Sequence, residues 1–524
     1  MGNSWLRAAW LRTPLEPVRG LSTMSELCAP SAATTAATAP SVPGDPHHAR
    51  RWLVLGVVAV AQLMVVLDAT IVNIALPSAQ QALGFADTDR QWIVTSYALS
   101  FGSLLLLGGK LGDLFGRKNT FIVGLVGFAL ASALGGAADS FGVLVGARVL
   151  QGVFGALLAP AALATLATTF TDPKERSKAF GVFGAVAGGG SAVGLVLGGV
   201  LTELLSWRWC LYVNLVFAAL AVLGAVFLLQ NAKVDQRPRL DIPGTLLASG
   251  GLFGLVFGFS QAATHGWTSP VTLGPLAAGA VLLVVFVAVQ RRVSAPLLPL
   301  HVITDRVRGT CYAAVGLSAV AIFAVFLFLT YYLQGIKGFS PIVSGVSFLP
   351  LTAGIVASST TANIVLLPRT GPRPLLPLGM ALGATGMFLL TRITPTSGYA
   401  SHVLPSLVIL GLGFGLIFAP AISSATFGVE RKDSGVASAM VNTMQQVGGS
   451  IGTALLSTLA ASATAGYART NTGDGAQLLA AVHGYTTAFT VSGCIFVAGA
   501  IMTAVLLPSG VLVAAAPQEP VAAH

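Results

Sequence analysis

The chain has 524 residues, of which 54% are hydrophobic and 9% charged, against about 45–50% and about 25% in an ordinary soluble domain. That balance excludes a soluble fold and leaves a protein that resides in a bilayer. The formal net charge of +10 does not point to nucleic acid as a partner, because the basic residues are spread over short loops and tails and no single domain gathers them.

The first 51 residues differ from the rest. Their stretch APSAATTAATAPSVPGDP, 29–46, is Ala, Thr, Ser and Pro without apolar periodicity, so residues 1–51 are expected to form a disordered cytoplasmic tail. Met24 is an alternative start. From Trp52 to Leu507 apolar segments of about 20 residues recur, each long enough to cross about 30 Å of hydrocarbon as a helix. The expected spans lie near 52–76, 91–109, 120–138, 141–165, 179–202, 210–230, 242–262, 271–290, 309–334, 341–366, 374–394, 402–424, 435–463 and 483–507.

Fourteen spans place both termini on one side. Arg90, Arg208, Lys337, Arg392 and Arg469 are the five basic residues of the odd-numbered loops. The tails and even-numbered loops hold 22 of the 28, five of them in the tail before Trp52. The excess of basic charge marks the cytoplasmic side. Both termini are therefore expected there, in a multi-pass protein of the cytoplasmic membrane.

Internal repetition divides the chain. FGALLAP at 154–160 in span 4 answers FGLIFAP at 414–420 in span 12, and GRK at 116–118 answers GPR at 371–373. The pair Glu175-Arg176 likewise answers Glu430-Arg431. The reading is an N-terminal six-helix half over 52–230, two inserted spans with cytoplasmic loops over 231–308, a C-terminal six-helix half over 309–507, and a tail over 508–524. Repeated halves with a site at their interface are the architecture of secondary transporters.

In span 1, LMVVLDATIVNIALP at 63–77 puts one carboxylate, Asp68, into an apolar run. A carboxylate at mid-membrane costs about 2.5–3.5 kcal/mol on insertion scales, so it needs a partner or a task. Arg148 in span 4 lies within about 3 Å of the same depth, at about 1.5 Å per residue. Two readings stay open: a permanent salt bridge that fastens two helices, or an acid that binds and releases a proton. Burial favours the neutral acid and a neighbouring guanidinium favours the carboxylate, so a change of access can move the proton. The amides Asn73, Gln151, Asn214, Gln334, Asn442, Gln445 and Gln446 either line a substrate cavity or bridge helices.

The loop GGKLGDLFGRK at 108–118 reads as a tight turn and as a latch whose Asp113 pairs with a basic residue in one conformation only. It resembles the signature of the major facilitator superfamily at Gly109, Leu111, Gly112, Asp113, Gly116, Arg117 and Lys118. GVFGAVAGGGSAVGLVLGG in span 5 is similar to the antiporter motif of the drug-exporting branches at Gly181, Gly190, Gly194, Gly198 and Gly199. It has Leu195 where those proteins usually carry proline, which should leave the helix straighter. LDATIVNIALP, RVLQGVFGA, WRWCLYVN at 207–214, HGWTSP at 265–270, YYLQGIKGFSP at 331–341 and NTMQQVGGSIG at 442–452 look like the fourteen-helix drug:proton antiporter family. Val216 stands where that family often has proline. The resemblance covers roughly residues 52–510 and implies an all-α membrane fold with two inserted central helices, and a proton-coupling role for Asp68 and Arg148.

Four cysteines without CxxC spacing, and no HExxH or Walker A sequence, point to no metal, no cofactor beyond a coupling proton and no ATP-driven step. Ser450 satisfies Gly-x-Ser-x-Gly but lies in an apolar span, without the strand-turn-helix setting a hydrolase needs. The expectation is not an enzyme but a monomeric antiporter exporting neutral or monocationic hydrophobic molecules. Nutrient uptake on the same fold is the alternative.

Overall fold

A backbone in hydrocarbon must satisfy its own hydrogen bonds, and apolar runs of this length do so as helices. The computed structural model describes residues 46–86, 89–170, 173–229, 241–293, 296–429, 434–471, 473 and 475–510. The first six helices are α1 Pro46–Leu83, α2 Gln91–Phe115, α3 Arg117–Gly136, α4 Phe141–Thr169, α5 Pro173–Leu204 and α6 Trp209–Leu228. A hairpin of α7 Ile242–His265 and α8 Pro270–Gln290 follows, then a short α9, Leu300–Thr304. The last group comprises α10 Arg306–Tyr331, α11 Pro341–Ser347, α12 Leu349–Thr361, α13 Leu367–Thr370, α14 Pro372–Leu390, α15 Leu404–Thr426, α16 Ser434–Thr470 and α17 Ala476–Leu506. π-helical turns occupy Tyr332–Ile336, Ala362–Leu366 and Tyr399–Val403. Among the described residues there is no strand.

Among the described residues, twelve segments are long and apolar enough to cross a membrane. The 25-residue α2 and the 32-residue α5 are not among them, although α5 holds a shorter apolar stretch, Gly189–Leu204. The structure departs from the expected elements in two places. The first helix begins at Pro46, inside the stretch read as tail, because proline suits a first helical turn whose N–H has no intrahelical partner; residues 1–45 lie outside the described residues. The span expected over 341–366 is broken at Phe348 and again by a π turn. Pro350 lacks an N–H and its ring crowds the carbonyl four residues back, which accounts for the first break.

The repeat read from the sequence has a backbone counterpart. Gly116, between α2 and α3, has φ +91°, and Gly371, between α13 and α14, has φ +72°. Both turns need the left-handed region that glycine alone enters without strain. The Glu430-Arg431 pair lies outside the described residues.

Close approaches knit the first six helices together. A side chain at Gly108 would collide with the Ala156 carbonyl, and a Cβ at Gly152 would stand 2.5 Å from the Tyr97 carbonyl, so α2 and α4 pack backbone to backbone as small residues allow in membranes. The α7–α8 hairpin lies over the seam between the two groups. Ser249 donates to the Ser103 carbonyl at 3.1 Å on one side, and Thr458 donates to the Phe259 carbonyl at 3.0 Å on the other. Asp241 caps α7, accepting from the Gly244 N–H at 2.8 Å and from the Gln290 amide.

At the face opposite the 116–118 turn, the two groups are in contact. Tyr331 donates to Gln80 Oε1 at 2.7 Å, Gln334 donates to the Ile74 carbonyl at 3.1 Å, and the Ile342 N–H donates to Glu203 Oε2 at 3.0 Å. The Arg90 guanidinium stands 4.0 Å from the centre of the Tyr331 ring. A Cβ at Gly199 would lie 2.5 Å from the Pro341 carbonyl, and one at Gly345 would overlap the Leu195 carbonyl. A backbone carbonyl cannot rotate aside. Gly345→Val should therefore push α5 and α11 apart and cost about 1–3 kcal/mol of stability. Thermal unfolding in detergent checks it, and an unchanged midpoint would show that the contact is loose. By contacts, Ala49–His524 forms one compact unit; of Met1–His48 only 46–48 are described.

Candidate functional site

The site grows from four helices that bury polar atoms at one level. On α1, Asp68 is fully buried, as are Gln151 on α4, Ser132 on α3 and Asn214 on α6, while Arg148 on α4 is 2% exposed. Arg148 and Gln151 are three residues apart, so one helix face presents both. Asn214 is set in place by the start of its helix. Arg208 donates to the carbonyls of Gly136, at 3.1 Å, and Ala138, tying the beginning of α6 to the end of α3, where carbonyls lack intrahelical donors.

Within this cluster Arg148 Nη1 donates to Asp68 Oδ2 at 2.6 Å and to Gln151 Oε1 at 2.7 Å. The other carboxylate oxygen, Oδ1, accepts from Gln151 Nε2 at 2.9 Å and from Asn214 Nδ2 at 2.7 Å. Ser132 Oγ accepts from Gln151 Nε2 at 2.7 Å and Asn214 Nδ2 at 3.3 Å. Three donors thus serve one carboxylate. Charge-assisted bonds of this kind are about twice as strong as neutral ones, and without them the loss of hydration, several kcal/mol per ion, would go uncompensated.

Arg148 is held from other sides too. Its Nε donates to the Ile93 carbonyl at 3.1 Å, and its guanidinium carbon stands 4.3 Å from the centre of the Tyr97 ring, a cation–π contact. Towards the face opposite the 116–118 turn, a void of about 10 Å³ touches Arg148 and is otherwise lined by apolar side chains, among them Val72, Leu76, Ile93 and Trp207. That space is about one water's worth. Apolar side chains thus border the ion pair on that side.

Two predicted amides, Gln151 and Asn214, donate to the Asp68 carboxylate and so bridge their helices to α1. Asn73 turns back to the Ala69 carbonyl of its own helix at 3.0 Å, and its Oδ1 is buried without a hydrogen-bond partner. Gln334 bridges to Ile74 from the π turn. Asn442 and Gln445 are half-buried on α16. Beside them, the Gln446 Cβ meets Gly102 of α2, and Gln446 Oε1 is buried without a hydrogen-bond partner.

The span-5 glycines seat α5 on the helix that carries Asp68. Cβ atoms at Gly190, Gly194 and Gly198 would meet Val66, Thr70 and Ile71, which flank the acid, while Gly199 faces Pro341 instead. Leu195, in place of proline, is buried, and α5 runs unbroken through it. In the signature loop, a Cβ at Gly109 would lie 3.6 Å from Pro160 and one at Gly112 would lie 4.0 Å from Thr120. Arg117 donates to the Ala164 carbonyl at 3.4 Å and Lys118 to the Val226 carbonyl at 2.7 Å. The side-chain environments of Asp113 and Gly181 lie outside the described residues.

Sequence reasoning missed Ser132, Tyr97 and the Ile93 carbonyl. Ser132 had a signal, as the hydroxyl deep in ALASALGG at 129–136. A backbone carbonyl leaves none.

Comparison with known proteins follows the same lines. The family model described as Major Facilitator Superfamily matches residues 58–453. The chain is 51% identical over 463 residues to a puromycin resistance protein of Streptomyces alboniger, covering 88% of this chain and 92% of that one. It is 37% identical to a cephamycin export protein of Amycolatopsis lactamdurans, covering 78% and 84%. Among solved structures, an auto-inhibited peptide transporter of the POT family superposes with a TM-score of 0.63 at 15% identity, over 87% of this chain and 96% of that one. A bacterial homologue of the human lysosomal transporter Spinster gives 0.61 at 14%, over 88% and 97%; at such identities the likeness is of fold alone. With a helical fold, twelve segments among the described residues long and apolar enough to cross a membrane, and a family match over most of its length, this chain is a multi-pass membrane transporter, not an enzyme, and belongs to the Major Facilitator Superfamily.

Proposed function

We propose that the protein is a proton-coupled antiporter that exports hydrophobic, neutral or monocationic antibiotics across the cytoplasmic membrane. The observation that carries the coupling is the buried Asp68 carboxylate with its three donors. A buried acid whose ionised form is fully bonded holds or gives up a proton only as its surroundings rearrange. Export, as against uptake, draws on the names of the relatives in puromycin resistance and cephamycin export. Adding α2 and α5 to the twelve apolar segments makes fourteen spans, with α7 and α8 inserted between six-helix halves and both termini cytoplasmic by the charge of the loops. The substrate meets a monomer in the bilayer, between the halves.

The test is drug susceptibility. In a bacterial host lacking its own pumps, expression should raise the puromycin concentration needed to stop growth, and an uncoupler should raise retention of the drug in expressing cells to that of cells without the protein. Accumulation of puromycin faster than in empty cells would favour uptake instead.

The signature loop adds an expectation. Arg117 ties the start of α3 to the end of α4 through its hydrogen bond to the Ala164 carbonyl, and losing one such bond shifts an equilibrium by about 0.5–1.5 kcal/mol. Arg117→Ala, and Asp113→Ala with it, should slow turnover about 2- to 10-fold and leave substrate affinity unchanged. Initial-rate transport across a range of substrate concentrations separates the two, and normal turnover with weakened binding would refute the latch.

A further inference from the structure

One amide in the Asp68 cluster is used at one end only. Asn214 Nδ2 donates to Asp68 Oδ1 at 2.7 Å and to Ser132 Oγ at 3.3 Å, while its Oδ1 is buried without a hydrogen-bond partner. Leaving a buried acceptor unmatched is costly, and most native structures avoid it. Gln151 is different, because both ends of its amide are occupied: Oε1 by Arg148, and Nε2 by Asp68 and Ser132.

We propose that Asn214 is a positioning residue that reads the protonation state of Asp68 by turning its side-chain amide over. This rests on the reading of Asp68 as the coupling acid. With the carboxylate ionised, Asn214 presents nitrogen, as observed. When a proton from water binds Asp68 Oδ1, an O–H bond forms and the group facing Asn214 becomes a donor. The amide nitrogen cannot accept the acid proton, whereas the idle Oδ1 can. Rotation by half a turn exchanges the bonds that Nδ2 gives to Asp68 and Ser132 for bonds that Oδ1 accepts from the acid proton and the Ser132 hydroxyl.

The rest of the cluster can absorb the change. Arg148, released from a carboxylate, still has the Ile93 carbonyl, Gln151 Oε1 and the Tyr97 ring. Among the described residues, the titratable and charged groups around Asp68 are Arg148 from α4, Tyr97 from α2 and Cys210 from α6; the Cys210 sulfur already shares a hydrogen bond with Thr202 Oγ1 at 3.3 Å. From α5, Gly190, Gly194 and Gly198 face the acid's neighbours on α1. Arg148 is thus the one permanent charge of the cluster, and Asn214 is the group whose two faces match the acid's two states.

Infrared difference spectroscopy of the reconstituted full-length protein, with asparagine carbonyls carbon-13 labelled, tests this between high and low pH. Acidification should produce a carboxylic-acid C=O band together with a shift of one labelled side-chain amide band. Asp68→Asn should remove both. Asn214→Leu should keep the acid band, move it to higher frequency because the acid has lost its acceptor, and slow substrate-coupled proton release about tenfold or more, as expected for a hydrogen bond to a charged group. Asn214→Ser identifies the amide band should the leucine variant not fold. An acid band accompanied by no amide shift, or an Asn214→Leu acid band at the wild-type frequency, would overturn the role of Asn214 while leaving Asp68 as the coupling acid. An acid band that survives Asp68→Asn would overturn both.

Discussion

Replacing Asp68 by asparagine should leave a folded protein whose proton-driven transport falls by at least about tenfold, equivalent to about 1.4 kcal/mol in the coupled step. The side chain keeps its shape and loses its titration. Asparagine still offers Arg148 one oxygen, and Arg148 keeps the Ile93 carbonyl, Gln151 and the Tyr97 ring. The stability loss should therefore lie nearer about 1–3 kcal/mol, the cost of an imperfectly matched buried polar group, than the 3–5 kcal/mol of a fully orphaned buried charge. The measurement is substrate-induced proton release from everted vesicles at matched protein levels. Release at the wild-type rate would make Asp68 and Arg148 a structural fastening, the other reading the sequence left open.

Periodicity, hydropathy and charge in the sequence carry much of this molecule, for reasons that differ from part to part. Asp68 and Arg148 were legible as a pair because helix rise turns sequence position into depth, and only one deep acid and one deep base were available. Their separation of 2.6 Å was a matter of which helix faces meet, which hydropathy does not encode. The same gap explains Asn214. Its type and depth were visible, but which partner it meets depends on rotation of α6, whose start Arg208 ties to the end of α3. The breaks at Phe348 and at 362–366 escaped because an apolar run reads alike whether its backbone is α or π; only Pro350 hinted at the first. Glycines were partly legible. Gly116 announced a turn, whereas Gly108, against the Ala156 carbonyl, mattered for a packing partner that no local pattern reveals.

Arg148 should tolerate lysine poorly and leucine worse. Its guanidinium works in several directions at once: Nε to the Ile93 carbonyl at 3.1 Å, Nη1 to Asp68 at 2.6 Å and Gln151 at 2.7 Å, with its plane over Tyr97 at 4.3 Å. An ammonium is a point charge on a flexible stem and cannot reproduce a planar fork, so the exchange is not conservative at such a site. Arg148→Lys should keep the charge balance, lose the bonds to Ile93 or Gln151, and destabilise by about 1–3 kcal/mol. Arg148→Leu strips the only counter-charge from a fully buried carboxylate and should cost about 3–5 kcal/mol, unless Asp68 takes up a proton and stays neutral, in which case transport is lost with the fold spared. Either way the acid and the base act on each other. Combining Asp68→Asn with Arg148→Leu removes both charges, so the double variant should be more stable than the sum of the single losses implies, by about 0.5–3 kcal/mol. Thermal unfolding of the four proteins in one detergent closes the cycle. Strict additivity would mean that the two charges, though bonded, contribute to stability independently, and the coupling assigned to them would have no energetic basis.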